Sequence, residues 1–148
     1  MKGQAALEFI FIILIVIVYL TTVTMPLVKD AQNILADVES IGRGNNEAQK
    51  IANSINEVWT MGDGSRQTLN IFLPANTTLR CADNNISFEA TLLQRPFPSQ
   101  CPQGVCQKYF PSPTGASLNC ITELIEGPQK TNLRIEKAEA VITITQTS

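Results

Sequence analysis

The chain lacks histidine and carries little charge. Histidine is the commonest general base and a common metal ligand near neutral pH, so a chain without it has few ways to build a catalytic or metal site. Charged residues make up 16 % of the sequence, the net charge is −2, and no basic cluster is interleaved with aromatic residues. Nucleic acid is therefore not expected as a partner. The composition favours a structural or binding protein and predicts no enzyme, no cofactor and no metal.

Charge is scarcest at the start of the chain. Between Gly3 and Val28 the only charged residue is Glu8, and Phe9 to Leu20 is an unbroken run of apolar and aromatic side chains. As a helix, this segment is long enough to cross the roughly 30 Å hydrocarbon core of a bilayer. A secretory signal peptide would be shorter and would end in small residues, whereas threonines and a proline follow here. A plain membrane anchor fits the length but leaves the carboxylate of Glu8 unexplained, because an intramembrane acid usually has a partner.

The residues around this acid resemble the class III signal peptide of archaeal type IV pilins. The motif is Lys2-Gly3 followed by Gln4-Ala5-Ala6-Leu7-Glu8-Phe9 and the apolar run. In that family a prepilin peptidase cuts before the glutamine, on the cytoplasmic side of the helix. The resemblance therefore implies cleavage between Gly3 and Gln4, with Gln4 as the new N-terminus. It also places Glu8 where pilins carry their glutamate and implies that Gln4, Glu8 and Phe9 act in assembly.

The resemblance supplies a partner for the acid. Cleavage exposes an α-amino group on Gln4, and Glu8 of a neighbouring subunit can neutralise it inside an apolar filament core. Such pairing offsets the cost of burying either charge alone. The implied protein is a helical homo-oligomer, with the prepilin peptidase and the pilus assembly machinery as further partners. It would lie in the cell membrane as a precursor and in an extracellular surface filament when mature, serving adhesion.

Residues 30–61 predict an amphipathic continuation of the same helix. Pro26 removes one helical hydrogen bond, so we expect a kink or local unwinding near Thr22–Pro26, eased by threonine hydroxyls that bond back to carbonyls. The segment Gly42-Arg43-Gly44 favours either a bend or a stop and restart. Gly62-Asp63-Gly64 provides the signal that ends the helix. The apolar positions recur at spacings near three, four and seven: Ile34, Val38, Ile41, Ile51, Ile55 and Val58.

From Ser65 onward the apolar period becomes that of strands. Alternation predicts strands around residues 69–73, 86–92 and 133–144, with a parity slip near Glu136-Lys137 that indicates a bulge or a turn. Residues 95–115 hold most of the prolines and predict a loop. The expected fold class is α+β: a long N-terminal hydrophobic helix packed against a small, mostly antiparallel β-sheet head domain. The expected organisation is a leader at 1–3, a transmembrane or filament-core helix at 4–28, an amphipathic helix at 29–64 and a β-rich, disulfide-tied head at 65–148.

The head domain contains four cysteines, which allow several pairings. We favour Cys101–Cys106, closing a tight turn, and Cys81–Cys120, tying the base of the loop to the sheet. A structural zinc site would want two closely spaced pairs, and Cys81 and Cys120 are far apart. Disulfides place the domain in an oxidising exterior. Two sequons, at Asn76 and Asn85, are candidates for glycosylation, with Asn76 preferred because it follows a proline in an expected loop.

Two other functions stay open at this stage. The first is an extracellular binding protein held by an uncut N-terminal helix, with the proline-rich loop near Phe97, Tyr109 and Phe110 as its binding surface. The second and weakest is an enzyme, which would depend on a pair among four carboxylates in the head domain: Asp83, Glu89, Glu123 and Glu126.

Overall fold

A computed structural model describes residues 2–82, 84–93, 99, 101–120 and 124–147, and side chains within these ranges from residue 7 onward. The chain divides into two compact units, Met1–Ala36 and Asp37–Ser148. The first unit is helical. The second contains the rest of the long helix and the strands.

The N-terminal helix is interrupted by one π-helical turn. Helix α1 spans Lys2–Tyr19, the π-turn spans Leu20–Thr24, and helix α2 spans Met25–Met61. Within the turn, the N–H of Met25 donates to the carbonyl of Leu20, five residues back instead of four. The expected disturbance before Pro26 therefore takes the form of a π-turn, which lets the helix continue around a residue that has no N–H to donate.

Threonine hydroxyls stabilise this turn. The Thr21 hydroxyl donates to the carbonyl oxygen of Ile17 at 3.0 Å, and it also lies 3.1 Å from the carbonyl oxygen of Val18. The Thr22 hydroxyl donates to the Val18 carbonyl at 2.6 Å. Both accepting carbonyls lie in the last turn of α1, so the two hydroxyls add donors directly before the π-turn.

Helix α2 runs without interruption through both glycines, so the alternative in which the helix stops and restarts is excluded. Gly44 is buried against sheet residue Phe88, and a Cβ at position 44 would overlap the Phe88 ring. A Cβ at Gly42 would meet nothing within 4 Å. One glycine therefore permits a close approach between helix and sheet, and the other has no packing role.

This difference predicts that the same substitution has different effects at the two glycines. Gly42→Ala should stabilise the second unit by about 1 kcal/mol, because alanine has the higher helix propensity. Gly44→Ala gains the same propensity but overpacks the core by about 1–3 kcal/mol, so it should lower the free energy of unfolding relative to Gly42→Ala. Urea denaturation followed by circular dichroism measures both. Equal effects of the two variants would contradict the close packing of Phe88 on α2.

The second unit contains two four-stranded sheets. In the described ranges the strands are β1 Arg66–Leu73, β2 Thr77–Ala82, β3 Asn85–Thr91, β4 Val105–Pro111, β5 Ser117–Cys120, β6 Leu124–Glu126, β7 Gln129–Ala138 and β8 Val141–Thr147. Sheet 1 has the order β1-β7-β8-β5 and sheet 2 the order β4-β3-β2-β6. Every pairing is antiparallel except β5 with β8, which is parallel.

Both sheets and the C-terminal part of α2 share one hydrophobic core. The helix contributes Ala48, Ile51, Ile55 and Val58. Sheet 1 contributes residues such as Ile71 and Ile135, and sheet 2 residues such as Phe88, all nearly inaccessible to solvent. The structure therefore confirms the predicted α+β class, with an antiparallel-rich β domain packed on the C-terminal part of α2.

Two local predictions were wrong. The segment predicted as a loop contains β4, an edge strand that pairs with β3 along its whole length. An edge position tolerates the proline at the end of β4. The proline-rich composition therefore predicted a loop where the chain forms a strand. The parity slip expected at Glu136-Lys137 lies instead at Glu139-Ala140, the turn between β7 and β8. Glu139 has a φ of 57°, which reverses the chain there.

Candidate assembly helix

The first unit presents its apolar side chains on all sides of the helix. From Leu7 to Val28 the large apolar residues are exposed by 40 % (Val23) to 64 % (Ile15 and Leu27). Judged by length and composition, one helix in the described part of the chain is able to cross a membrane, and it lies near the N-terminus. Soluble monomers rarely expose so large a contiguous apolar surface, so lipid or other protein must cover it.

Glu8 is the only acid on this apolar surface. It is exposed on α1, directly before the exposed Phe9. Within the described part of the chain, Glu8 makes no ion pair. Gly3 and Gln4 also belong to α1, and position 4 lies about one helical turn before Glu8; the side chains at positions 3 and 4 lie outside the described residues. No described side chain therefore supplies the expected cationic partner of Glu8.

The amphipathic stripe predicted on α2 has two different environments. Ile51, Ile55 and Val58 are buried in the core of the second unit. Ile34, in the first unit, and Val38 are 52 % and 61 % exposed. The periodicity identified one apolar stripe correctly, but only the packing shows that its N-terminal residues are available for contacts.

The head domain contains both favoured disulfides, Cys81–Cys120 and Cys101–Cys106, with Cα–Cα separations of 6.1 and 4.2 Å. Cys81 lies in β2 of sheet 2 and Cys120 ends β5 of sheet 1. The longer-range bond therefore links the two sheets, a role that sequence spacing could not reveal. The shorter-range bond spans the short 3-10 turn that precedes β4.

The two sequons occupy different environments. Asn76 is exposed in the turn between β1 and β2, with a φ of 58°, a conformation that asparagine tolerates. Thr77 is buried and its hydroxyl donates to the Pro74 carbonyl at 2.7 Å, which holds this turn. Asn85 is half-buried and begins β3. Access to a modifying enzyme is thus better at Asn76.

Within each alternative function, the candidate residues that the structure describes are not brought together. Tyr109 is 63 % exposed, whereas Phe110 is 6 % exposed and belongs to the core. Glu89 on β3 and Glu126 on β6 lie on either side of β2, both opposite Thr78. Among the described residues no group of three or more metal-binding side chains occurs. Three further candidates lie outside the described residues: Asp83, Phe97 and Glu123.

A polar groove on sheet 2 was missed by the sequence-based predictions. It is lined by side chains of β2, β3 and β4, including Arg80, Glu89 and Tyr109. The available signal was the alternation in β3, where Ser87 and Glu89 fall between buried Ile86, Phe88 and Ala90. That alternation shows which residues face outward, but only the register of three strands shows that they meet.

No protein-family model, curated protein sequence or solved structure matches this chain. The class of protein is accordingly defined by fold and surface alone. It is an α+β protein with one apolar N-terminal helix able to anchor in a membrane and a disulfide-linked β domain.

Proposed function

We propose that this chain is the structural subunit of an archaeal type IV pilus-like extracellular filament, assembled through its N-terminal helix. The observation that carries the proposal is the single exposed acid, Glu8, on a helix that is otherwise apolar and exposed on every side. The motif around this acid resembles the pilin processing site. The disulfide-linked second unit supports an extracellular location for the head domain.

Lipid and neighbouring helices differ in what they offer this surface. Lipid covers the apolar side chains as well as protein does, since both are apolar. The hydrocarbon chains of lipid offer no cation to Glu8, and burying its carboxylate without one is costly. A neighbouring subunit cut before Gln4 brings both an apolar helix and a positive α-amino group. The charge pair therefore favours packing between subunits over a solitary helix in lipid, and it also sets the register of that packing.

The proposed route begins with a precursor in the membrane. The prepilin peptidase cuts the bond between Gly3 and Gln4, and the assembly machinery moves the apolar helix out of lipid into the filament. Each subunit offers its new N-terminus to one neighbour and its Glu8 to another, a head-to-tail contact that does not close and so forms a helical filament. The head domains form the outer layer, with the Asn76 turn facing outward and modified by a glycan. Adhesion to surfaces or to other cells is the proposed role of the filament.

Mass spectrometry of the protein from its native cells tests the processing step. We expect a mature chain that begins at Gln4 and sediments with filaments visible by electron microscopy. Gly3→Val should block cleavage and leave the precursor in the membrane, because the bulky side chain obstructs the cut. Ala6→Val, a substitution beyond the scissile bond, serves as the control and should be processed. Native material that starts at Met1 and stays solitary in lipid would refute the proposal.

The second candidate is a membrane-anchored extracellular binding protein with an uncut helix. The exposed Tyr109 beside the polar groove favours it, because an exposed aromatic ring on a polar sheet face is a common binding feature. The same mass measurement separates the two candidates, since only the second keeps the leader on functional protein.

A further inference from the structure

The outer face of sheet 2 has a groove whose walls and floor follow from strand register. Arg80 of β2 lies opposite Ser87 of β3, and Ser87 lies opposite Tyr109 of β4. Two large side chains thus flank a small one, across a width of about 10 Å, which is two strand spacings. In the adjacent row Glu89 lies opposite Gln107. The resulting groove has a volume of about 230 Å³.

Hydrogen bonds hold one side of the groove in place. The Tyr109 hydroxyl donates to Gln107 Oε1 at 3.2 Å, and Gln107 Nε2 donates to Glu89 Oε2 at 3.0 Å. The Tyr109 ring is nevertheless 63 % exposed. Its orientation is therefore restrained by its hydroxyl while its surface stays available for contact. A restrained side chain loses less conformational entropy when a ligand binds.

The chemistry of the lining is mixed and balanced in charge. Arg80 contributes one positive charge and donors, and Glu89 one negative charge and acceptors. Ser87 and Gln107 add neutral donors and acceptors. Such a lining suits a ligand with many hydroxyl groups and no net charge. The exposed ring of Tyr109 suits a ligand that also has an apolar face, because the electron-rich face of an aromatic ring attracts polarised C–H groups.

We propose that this groove binds the ring of a neutral hexopyranose. A pyranose combines a rim of hydroxyls with a face of C–H groups, which are the two features that the lining matches. The volume lies below the range of about 300–1,000 Å³ of pockets for drug-sized ligands, so one ring, at an end or along a chain of sugars, is the expected occupant. The biological role of this site rests on the proposed adhesive filament, since many weak sites on one filament bind a glycan-bearing surface strongly by multivalency.

The test titrates the full chain with methyl α-glucoside, α-galactoside and α-mannoside. The protein is held in a phosphocholine detergent, because alkyl glycoside detergents carry the ligand themselves. It is made in a host without N-glycosylation, because a glycan on Asn85 would begin inside the groove. Two-dimensional NMR of the amides in β2, β3 and β4 reports binding. We expect at least one pyranoside to shift the Ser87 and Tyr109 signals with a dissociation constant in the millimolar range.

Variants distinguish binding at this groove from non-specific binding elsewhere on the protein. Tyr109→Ala should weaken binding about tenfold, because the face of the ring is lost. Tyr109→Phe keeps the ring but loses the restraining hydroxyl, so it should weaken binding by less. Lys130→Ala, an exposed position on sheet 1, is the matched control and should bind like the unaltered protein. Unchanged amide spectra for Tyr109→Ala outside the groove would show that it folds.

Three results would overturn the sugar site: no shift with any pyranoside, equal binding by Tyr109→Ala, or a methyl glucuronide bound more tightly than every neutral sugar. The last would mean that Arg80 selects an anion. A native glycan found on Asn85 would also overturn it, because the groove would already be filled. None of these results tests the filament proposal. That proposal fails if the native chain is found uncut and solitary.

Discussion

Glu8→Ala is expected to abolish filaments while leaving the protein in the membrane. The substitution removes the only acid from the apolar helix, so insertion should become easier, by up to about 3 kcal/mol at the bilayer centre and by less near its edge. If Glu8 had no partner, its loss would favour any assembly of apolar helices. If it pairs with the Gln4 amino group of a neighbour, its loss leaves that cation buried without a partner. Electron microscopy of cells and fractionation of membranes measure the two effects separately.

Further variants distinguish charge from size. Glu8→Gln keeps the shape and loses the charge, so it should fail to assemble as Glu8→Ala does. Glu39→Ala is the matched control, because Glu39 is an exposed acid on α2 whose partner, Arg43, lies on the same helix. An exposed pair of this kind contributes about 0–1 kcal/mol, so its filaments should be normal. Normal filaments from Glu8→Ala would contradict the proposed charge pairing.

Replacing Cys81 and Cys120 by alanine is expected to destabilise the second unit by about 4 kcal/mol. The two residues are 39 positions apart, and a cross-link over a loop of that length removes much of the entropy of the unfolded chain. Alanine is preferred to serine because Cys81 is buried and a hydroxyl there would need a donor or acceptor. Denaturation of oxidised protein in detergent, followed by circular dichroism, measures the loss. The melting temperature should fall on the order of 15 °C.

The second disulfide is the matched control. Cys101 and Cys106 are only 5 positions apart, so replacing both by alanine should cost about 2 kcal/mol on the same model. Addition of a reducing agent to the unaltered protein should approach the sum of the two losses. Equal losses for the two pairs would show that chain entropy is not the main contribution. An unchanged melting temperature on reduction would mean that the cysteines are not bonded in solution.

Much of the fold follows from local patterns. The alternation of Leu69, Ile71 and Leu73 predicted β1, and all three residues are buried as expected. Pro26 predicted a disturbance in the helix, although a π-turn with threonine back-bonds could not be distinguished from a kink by sequence alone. In contrast, β4 gave no usable pattern. It became a strand because its edge position lets β3 supply hydrogen bonds regardless of the prolines nearby.

The candidate sites divide in the same way. Glu8 could be identified from the sequence, because a single acid inside an apolar run is recognisable without knowledge of the fold. The environment of Gly44 was not evident, since a helix break and a close helix–sheet contact both call for glycine. The groove was not evident either, because Arg80, Ser87 and Tyr109 lie on three strands whose register is set by partners far apart in the chain.

By itself, the sequence determined the apolar helix, its lone acid, the end of the helix after Met61 and the α+β class. These depend on composition and on periods of two and 3.6 residues, which are properties of neighbouring positions. Only the tertiary structure decided that β8 lies between β7 and β5, that Cys81–Cys120 joins the two sheets, and which side chains meet on the outer face of sheet 2. Strand order and register arise from contacts between distant segments, and such contacts are selected by the free energy of the whole core.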